Sequence, residues 1–174
     1  MSWKTLKSRT IYDNAWMTVI ADHVVTPRGG EHQYDHIRFK MKAVAIIPLD
    51  DDGNTWIVGQ DRYTLGEFSW EVPMGGSEAG EDPIDTARRE LQEETGLTAS
   101  TLTPLMRLHT SNSITDEEGF VFVAQDLLAG EPDFDETEDL EIRKLPLTEA
   151  IDMVKRGEIT DAISVAALLR ISSG

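Results

Sequence analysis

The chain has 174 residues, 40% of them apolar, which suits one domain with a core of its own. Its 32 acidic residues against 16 basic ones give a formal net charge of −16, a field that repels nucleic-acid backbones and any anionic small molecule unless a cation intervenes. The absence of cysteine excludes disulfides, thiolate nucleophiles and Cys-based metal centres, and no run approaches the roughly 20 apolar residues of a membrane span, so a cytoplasmic chain without nucleic-acid or membrane partners is expected.

In chain order, residues 16–25 partly alternate in polarity, 26–30 (TPRGG) supply turn chemistry, and 34–40 read as the return strand. Residues 1–40 are therefore expected to form an antiparallel β unit, with 41–174 as the main domain. The uninterrupted apolar stretch 43–49 suits a buried strand. The turn at 50–54 and a partner strand at 55–60 make a hairpin the simplest reading. At Asp82 the period changes. Asp82 caps, Pro83 fits the first helical position, Ile84, Ala87 and Leu91 recur at helical spacing, and Gly96 supplies the stop. Strands follow at 102–109 and 120–125 around a polar loop at 111–118, then an acidic loop at 131–141. Two helices close the chain, one over 148–156 ending at Gly157 and one starting near Asp161.

A turn of 100° per residue places Ile84, Ala87 and Leu91 on one side of the first helix and Glu90, Glu93 and Glu94 together on another. Like charges at these spacings destabilise a helix by a few tenths of a kcal/mol per pair, and no lysine lies four residues away to compensate. A solvated acidic face is the ordinary meaning of such a run. A hard divalent cation, Mg²⁺ or Mn²⁺, is the alternative that resolves the repulsion, because it takes oxygen ligands and bridges carboxylates to phosphates.

The surroundings decide between the two. Gly75, five residues, Glu81, seven residues, then Arg89-Glu90-Leu91-Gln92-Glu93-Glu94-Thr95-Gly96-Leu97 reproduces G-x5-E-x7-R-E-U-x-E-E-x-G-U, with U aliphatic, without a departure. A random window matches seven fixed and two aliphatic positions with probability below about 10⁻⁸. On these residues the chain resembles the Nudix hydrolases. The resemblance implies an α/β fold, the family's αβα sandwich with a mixed sheet, and diphosphate hydrolysis at a loop–helix–loop metal site. It further implies that Glu90, Glu93 and Glu94 bind metal together with the carbonyl of Met74, with Glu90 and Glu94 the strongest ligands. Arg89 would pair with a carboxylate such as Glu93, Glu81 would support the loop or a further metal, and Gly75 and Gly76 would let the backbone turn beside the ion.

Gln60-Asp61-Arg62-Tyr63, Trp70-Glu71-Val72-Pro73 and the segment 161–169 resemble the ADP-ribose and nucleotide-sugar pyrophosphatase branch. In that branch the N-terminal β unit pairs with a second subunit, which implies a homodimer. The arginine matching Arg62 contacts substrate phosphate, and a surface ion pair is its other reading. Trp3, Tyr12 and Trp16 are candidates for core, interface or base stacking. The catalytic base of the branch lies on a loop after the signature, which makes Glu136 the leading candidate and Glu138 a metal-side residue or alternate base, with Glu117 and Glu118 as rivals. One position departs: ADP-ribose hydrolases often carry a proline where this chain has Ser113. The expected substrate is a nucleoside diphosphate-linked small molecule such as ADP-ribose. Dinucleoside polyphosphates, nucleoside triphosphates and a non-enzymatic nucleotide-sensing domain are the alternatives.

Overall fold

The computed structural model describes residues 2–78, 80–133 and 140–173. Strands β1 (Lys4–Asp13), β2 (Met17–Val25) and β3 (Glu31–Phe39) form an antiparallel sheet in the order β1-β2-β3. Strand β1 escapes a sequence reading because every one of its residues is exposed, which leaves no inward–outward alternation to see. The loop after residue 109 docks on the edge of β3, where the Ile37 N–H donates to the Ile114 carbonyl at 2.8 Å and the Phe39 N–H to Asp116 Oδ1 at 2.8 Å.

The main body continues with β4 (Ala43–Pro48), β5 (Asn54–Arg62), β6 (Glu67–Glu71), β7 (Met74–Gly76), helix α1 (Pro83–Thr95), β8 (Leu97–His109), β9 (Glu118–Ala129), β10 (Glu141–Pro146), α2 (Leu147–Arg156) and α3 (Ala162–Ile171). A mixed sheet runs β7-β4-β9-β8, with β4 parallel to β9 and the other pairs antiparallel. Val44 and Ile46 on one face of β4 pack with Ala87 and Leu91 of α1, whereas Ala45 and Ile47 on the other pack with Ile151 and Met153 of α2 and Ile163 and Leu168 of α3. Both faces of β4 are thus covered, which is why its sequence is continuously apolar. Each fully buried side chain of this kind contributes on the order of 2 kcal/mol.

The expected hairpin between 43–49 and 55–60 does not form. Both edges of β4 are taken, by β7 and β9, and β5 instead sits between β10 and β6 in a separate antiparallel sheet. The turn at 50–54 carries the chain from one sheet to the other. It is held by Asp50 Oδ1, which accepts from the Asn54 N–H at 2.7 Å and the Asp52 N–H at 3.1 Å. The stretch read as an acidic loop ends earlier than expected, since Glu141 already pairs with Gly59 as the first residue of β10. Helix α1 matches its sequence signals: Asp82 accepts from the Ile84 N–H, Pro83 opens the helix, and Gly96 at φ 70° closes it. Among the described residues no helix is long and apolar enough to cross a membrane.

Candidate active site

The site forms where the chain leaves β6, enters β7 and turns into α1. Val72 and Pro73 bridge the two strands; the Val72 N–H donates to Ser164 Oγ at 3.0 Å and the Pro73 carbonyl accepts from the Ile46 N–H at 2.8 Å. At Met74 the N–H donates to Glu94 Oε2 at 2.8 Å. Gly75 follows, with the Glu90 carboxylate packed so closely that a Cβ at this position would land on it. Glycine is required here for close approach, not for its backbone angles. Downstream, Ser77 and Lys42 exchange hydrogen bonds, the Ser77 N–H to the Lys42 carbonyl at 2.9 Å and the Lys42 N–H to Ser77 Oγ at 3.2 Å.

The glutamates are not a solvated face. Glu90 is 7% and Glu94 1% exposed, and both lie on the inward side of α1 with Ala87 and Leu91, in contrast to the separate sides expected from the helical wheel. Positions 87, 90, 91 and 94 are spaced i, i+3, i+4 and i+7, which is one face. Carboxylates so buried require partners. Glu94 has the Met74 N–H, and Glu90 has Arg89, whose Nη1 reaches Glu90 Oε1 at 2.7 Å and Glu93 Oε2 at 2.8 Å and whose Nη2 reaches Glu81 Oε2 at 3.3 Å and donates to the Gly76 carbonyl at 3.1 Å. Burial works against the charge on Arg89, but Glu81, Glu90 and Glu93 outweigh it and raise its pKa. The same contact with Arg89, joined by the Glu78 N–H that donates to Glu81 Oε2 at 2.8 Å, lowers the Glu81 pKa. The missing lysine is therefore replaced by an arginine four residues before Glu93.

A second arginine borders this region. Arg62 makes a two-pronged pair with Glu71, Nε to Oε1 at 2.8 Å and Nη2 to Oε2, and the Glu71 side chain is only 5% exposed. The bond to Glu71 raises the Arg62 pKa against its burial, with Glu94 and Asp161 adding to the effect. Arg62 lines a cleft with Met74, Ser69 and Asp161. A neighbouring cleft is lined by Gly75, Gly76, Arg89, Glu90, Glu93, Trp16 and Asp133. Trp3, Tyr12 and Trp16 are all exposed, so none belongs to the core. Glu117 binds the Thr110 hydroxyl, and Glu118 pairs with Arg107. Glu136 and Glu138 lie outside the described residues. Sequence reasoning gave no role to Glu71 or Ser164, although both lie in stretches that resemble the pyrophosphatase branch. In the structure Glu71 shares the buried side of β6 with Ser69.

These residues fit a hard divalent cation. The donor set is carboxylate and carbonyl oxygen, and Gly75 leaves room for the Glu90 carboxylate beside the strand. Among the described residues no three His, Cys, Asp or Glu side chains stand together as a ready-made ligand set; Arg89 pairs with Glu90 and Glu93, and the Met74 N–H donates to Glu94.

Residues 39–168 match the NUDIX domain model, and residues 3–37 match the nucleoside diphosphate sugar hydrolase N-terminal domain. The chain is 38% identical over 172 residues to the ADP-ribose pyrophosphatase of Mycobacterium tuberculosis, covering 97% of this chain and 83% of that protein. To the ADP-ribose pyrophosphatase of Bacillus subtilis it is 33% identical over 167 residues, covering 95% and 90%. A crystal structure of an ADP compounds hydrolase superposes with a TM-score of 0.89 at 25% identity, over 99% of this chain and 94% of that one. The chain belongs to the Nudix family, in the branch that holds these pyrophosphatases.

Proposed function

We propose that the chain is a metal-dependent pyrophosphatase that hydrolyses the diphosphate of a nucleotide sugar such as ADP-ribose. The observation that carries this is the convergence of α1 on β7 inside an unbroken Nudix signature: Glu94 on the Met74 N–H, Glu90 against Gly75, and Arg89 joining Glu81, Glu90 and Glu93. Mg²⁺ or Mn²⁺ held by Glu90, Glu93, Glu94 and the Met74 carbonyl would polarise the diphosphate and offset the charge of both substrate and protein. Glu81 and Arg89 hold the carboxylates in place. Arg62 meets a substrate phosphate from the adjoining cleft, its charge secured by Glu71.

Glu136 accepts the proton of the attacking water, with Glu138 as the alternate base. In support, Asp133, the last described residue before them, lines the cleft with Glu90 and Glu93, and its N–H donates to the Glu93 carbonyl at 3.0 Å. Water adds across the phosphoanhydride, so that one phosphorus gains its oxygen and the other keeps the bridging one. The products are a nucleoside monophosphate and a sugar phosphate.

The functional unit is a homodimer, a reading supported by the exposed Leu6, Ile11 and Tyr12 on the fully exposed β1. Sedimentation velocity at micromolar concentration tests it, and a monomer would overturn it. The activity is tested with Mg²⁺ against ADP-ribose, other nucleotide sugars, dinucleoside polyphosphates and nucleoside triphosphates. Release of AMP and ribose 5-phosphate from ADP-ribose is the expected result. Turnover of triphosphates or dinucleoside polyphosphates alone would overturn the substrate assignment.

A further inference from the structure

Two residues, Val72 and Pro73, separate β6 from β7, and Pro73 has no N–H. The backbone donors that fix the approach to the Met74 carbonyl are therefore those of Val72 and Met74. Both are held by side chains from helices that pack on opposite faces of the mixed sheet. Glu94 of α1 accepts from the Met74 N–H at 2.8 Å, and Ser164 of α3 accepts from the Val72 N–H at 3.0 Å. Ser164 is fully buried, in a helix whose other buried residues are Ile163, Ala167 and Leu168. An alanine would pack there as well and propagate the helix better, so the hydroxyl has a use beyond filling space. Its place is set in turn by Asp161, whose Oδ2 accepts from the Ser164 N–H at 2.8 Å.

We propose that Ser164 is a positioning residue for the cation site: by holding the Val72 N–H it sets where the Met74 carbonyl lies, two residues further along. This rests on the reading of Met74, Glu90, Glu93 and Glu94 as the site. Ser164 touches neither substrate nor ion. Its effect travels along a backbone that the Ile46 N–H, bonded to the Pro73 carbonyl at 2.8 Å, prevents from shifting freely.

The test titrates Mn²⁺ into the full chain without substrate, following free Mn²⁺ by electron paramagnetic resonance, for wild type, S164A and S164T. S164A is expected to weaken Mn²⁺ binding by roughly tenfold or more, in the range seen when a ligand's supporting partner is removed. The Mg²⁺ concentration for half-maximal ADP-ribose hydrolysis should rise by the same factor, while KM for ADP-ribose at saturating Mg²⁺ stays within about twofold. S164T keeps the acceptor and should remain close to wild type. Unchanged Mn²⁺ affinity in a folded S164A, even with a lower unfolding temperature, overturns the proposal. A second measurement needs no variant. Coupling is reciprocal, so Mg²⁺ must slow hydrogen exchange at the Val72 amide of the wild type, and an unaltered exchange rate there also overturns it. A wild type that neither binds Mn²⁺ nor turns over any nucleotide sugar sinks the proposed function and this inference together; a wild type that does both, beside an equal S164A, sinks only the inference.

Discussion

Glu94 on α1 accepts a hydrogen bond from the backbone N–H of Met74 at 2.8 Å, so one oxygen of a buried carboxylate is committed to the strand. Charge and acceptor are separable here. Glu94→Gln keeps an acceptor and loses the charge; it should unfold within a few degrees of wild type while kcat falls roughly a hundredfold or more. Glu94→Ala loses both and strands the Met74 N–H, costing about 1–3 kcal/mol in urea unfolding. An alanine variant as stable as wild type would show that the bond has no structural role.

Gly75 and Gly76 are adjacent but differ in what they face. A Cβ at Gly75 would overlap the Glu90 carboxylate, whereas one at Gly76 would meet the flexible end of Met41 at 3.3 Å. Gly75→Ala should displace Glu90, destabilise by about 1–3 kcal/mol and abolish most activity, and Gly76→Ala should be the milder change. Equal kinetic losses in the two variants would contradict the packing argument.

Local signals were the legible ones. Asp82, Pro83 and Gly96 define α1 because capping is chemistry within a few residues. The apolar run of β4 announces burial on two faces, but the choice of β7 and β9 over β5 depends on which edges are open, which proximity in sequence does not reveal. The signature identifies Glu90, Glu93 and Glu94, while the burial of Glu90 and Glu94, the pairing of Glu90 and Glu93 with Arg89 and the bond from the Met74 N–H to Glu94 emerge only when α1 is laid against β7. Ser164 lies in the 161–169 segment that resembles the pyrophosphatase branch, but nothing there marks its hydroxyl. Within an apolar helix it reads as a small filler, and its partner Val72 is 92 residues away.

Asp50 gives the pH dependence. Lys144 Nζ lies 2.7 Å from Asp50 Oδ2, and with Asn54 it holds the carboxyl well below its ordinary value of 3.8. A depressed folded-state pKa contributes stability that is present above the unfolded value and lost as pH falls through the folded one. Lys144→Met should return the Asp50 titration toward 3.8, visible in carboxyl ¹³C shifts, and acid unfolding should begin at a higher pH than in wild type. An unchanged titration would mean that Lys144 is not the dominant cause.

The pair of Arg62 and Glu71 separates support from substrate binding. Arg62→Met leaves Glu71, 5% exposed, without its guanidinium; because the Arg62 side chain is 37% exposed, the cost should be about 2 kcal/mol, below the ~3–5 kcal/mol of a fully buried pair. Adding Glu71→Met removes the stranded charge and should restore most of that stability. Activity should not return with it, since a methionine cannot donate to a phosphate as the guanidinium does. The expected signature is a double variant near wild type in urea unfolding but still raised in KM for ADP-ribose. Recovery of KM along with stability would make Arg62 a support for Glu71 and would remove it from the substrate-binding residues.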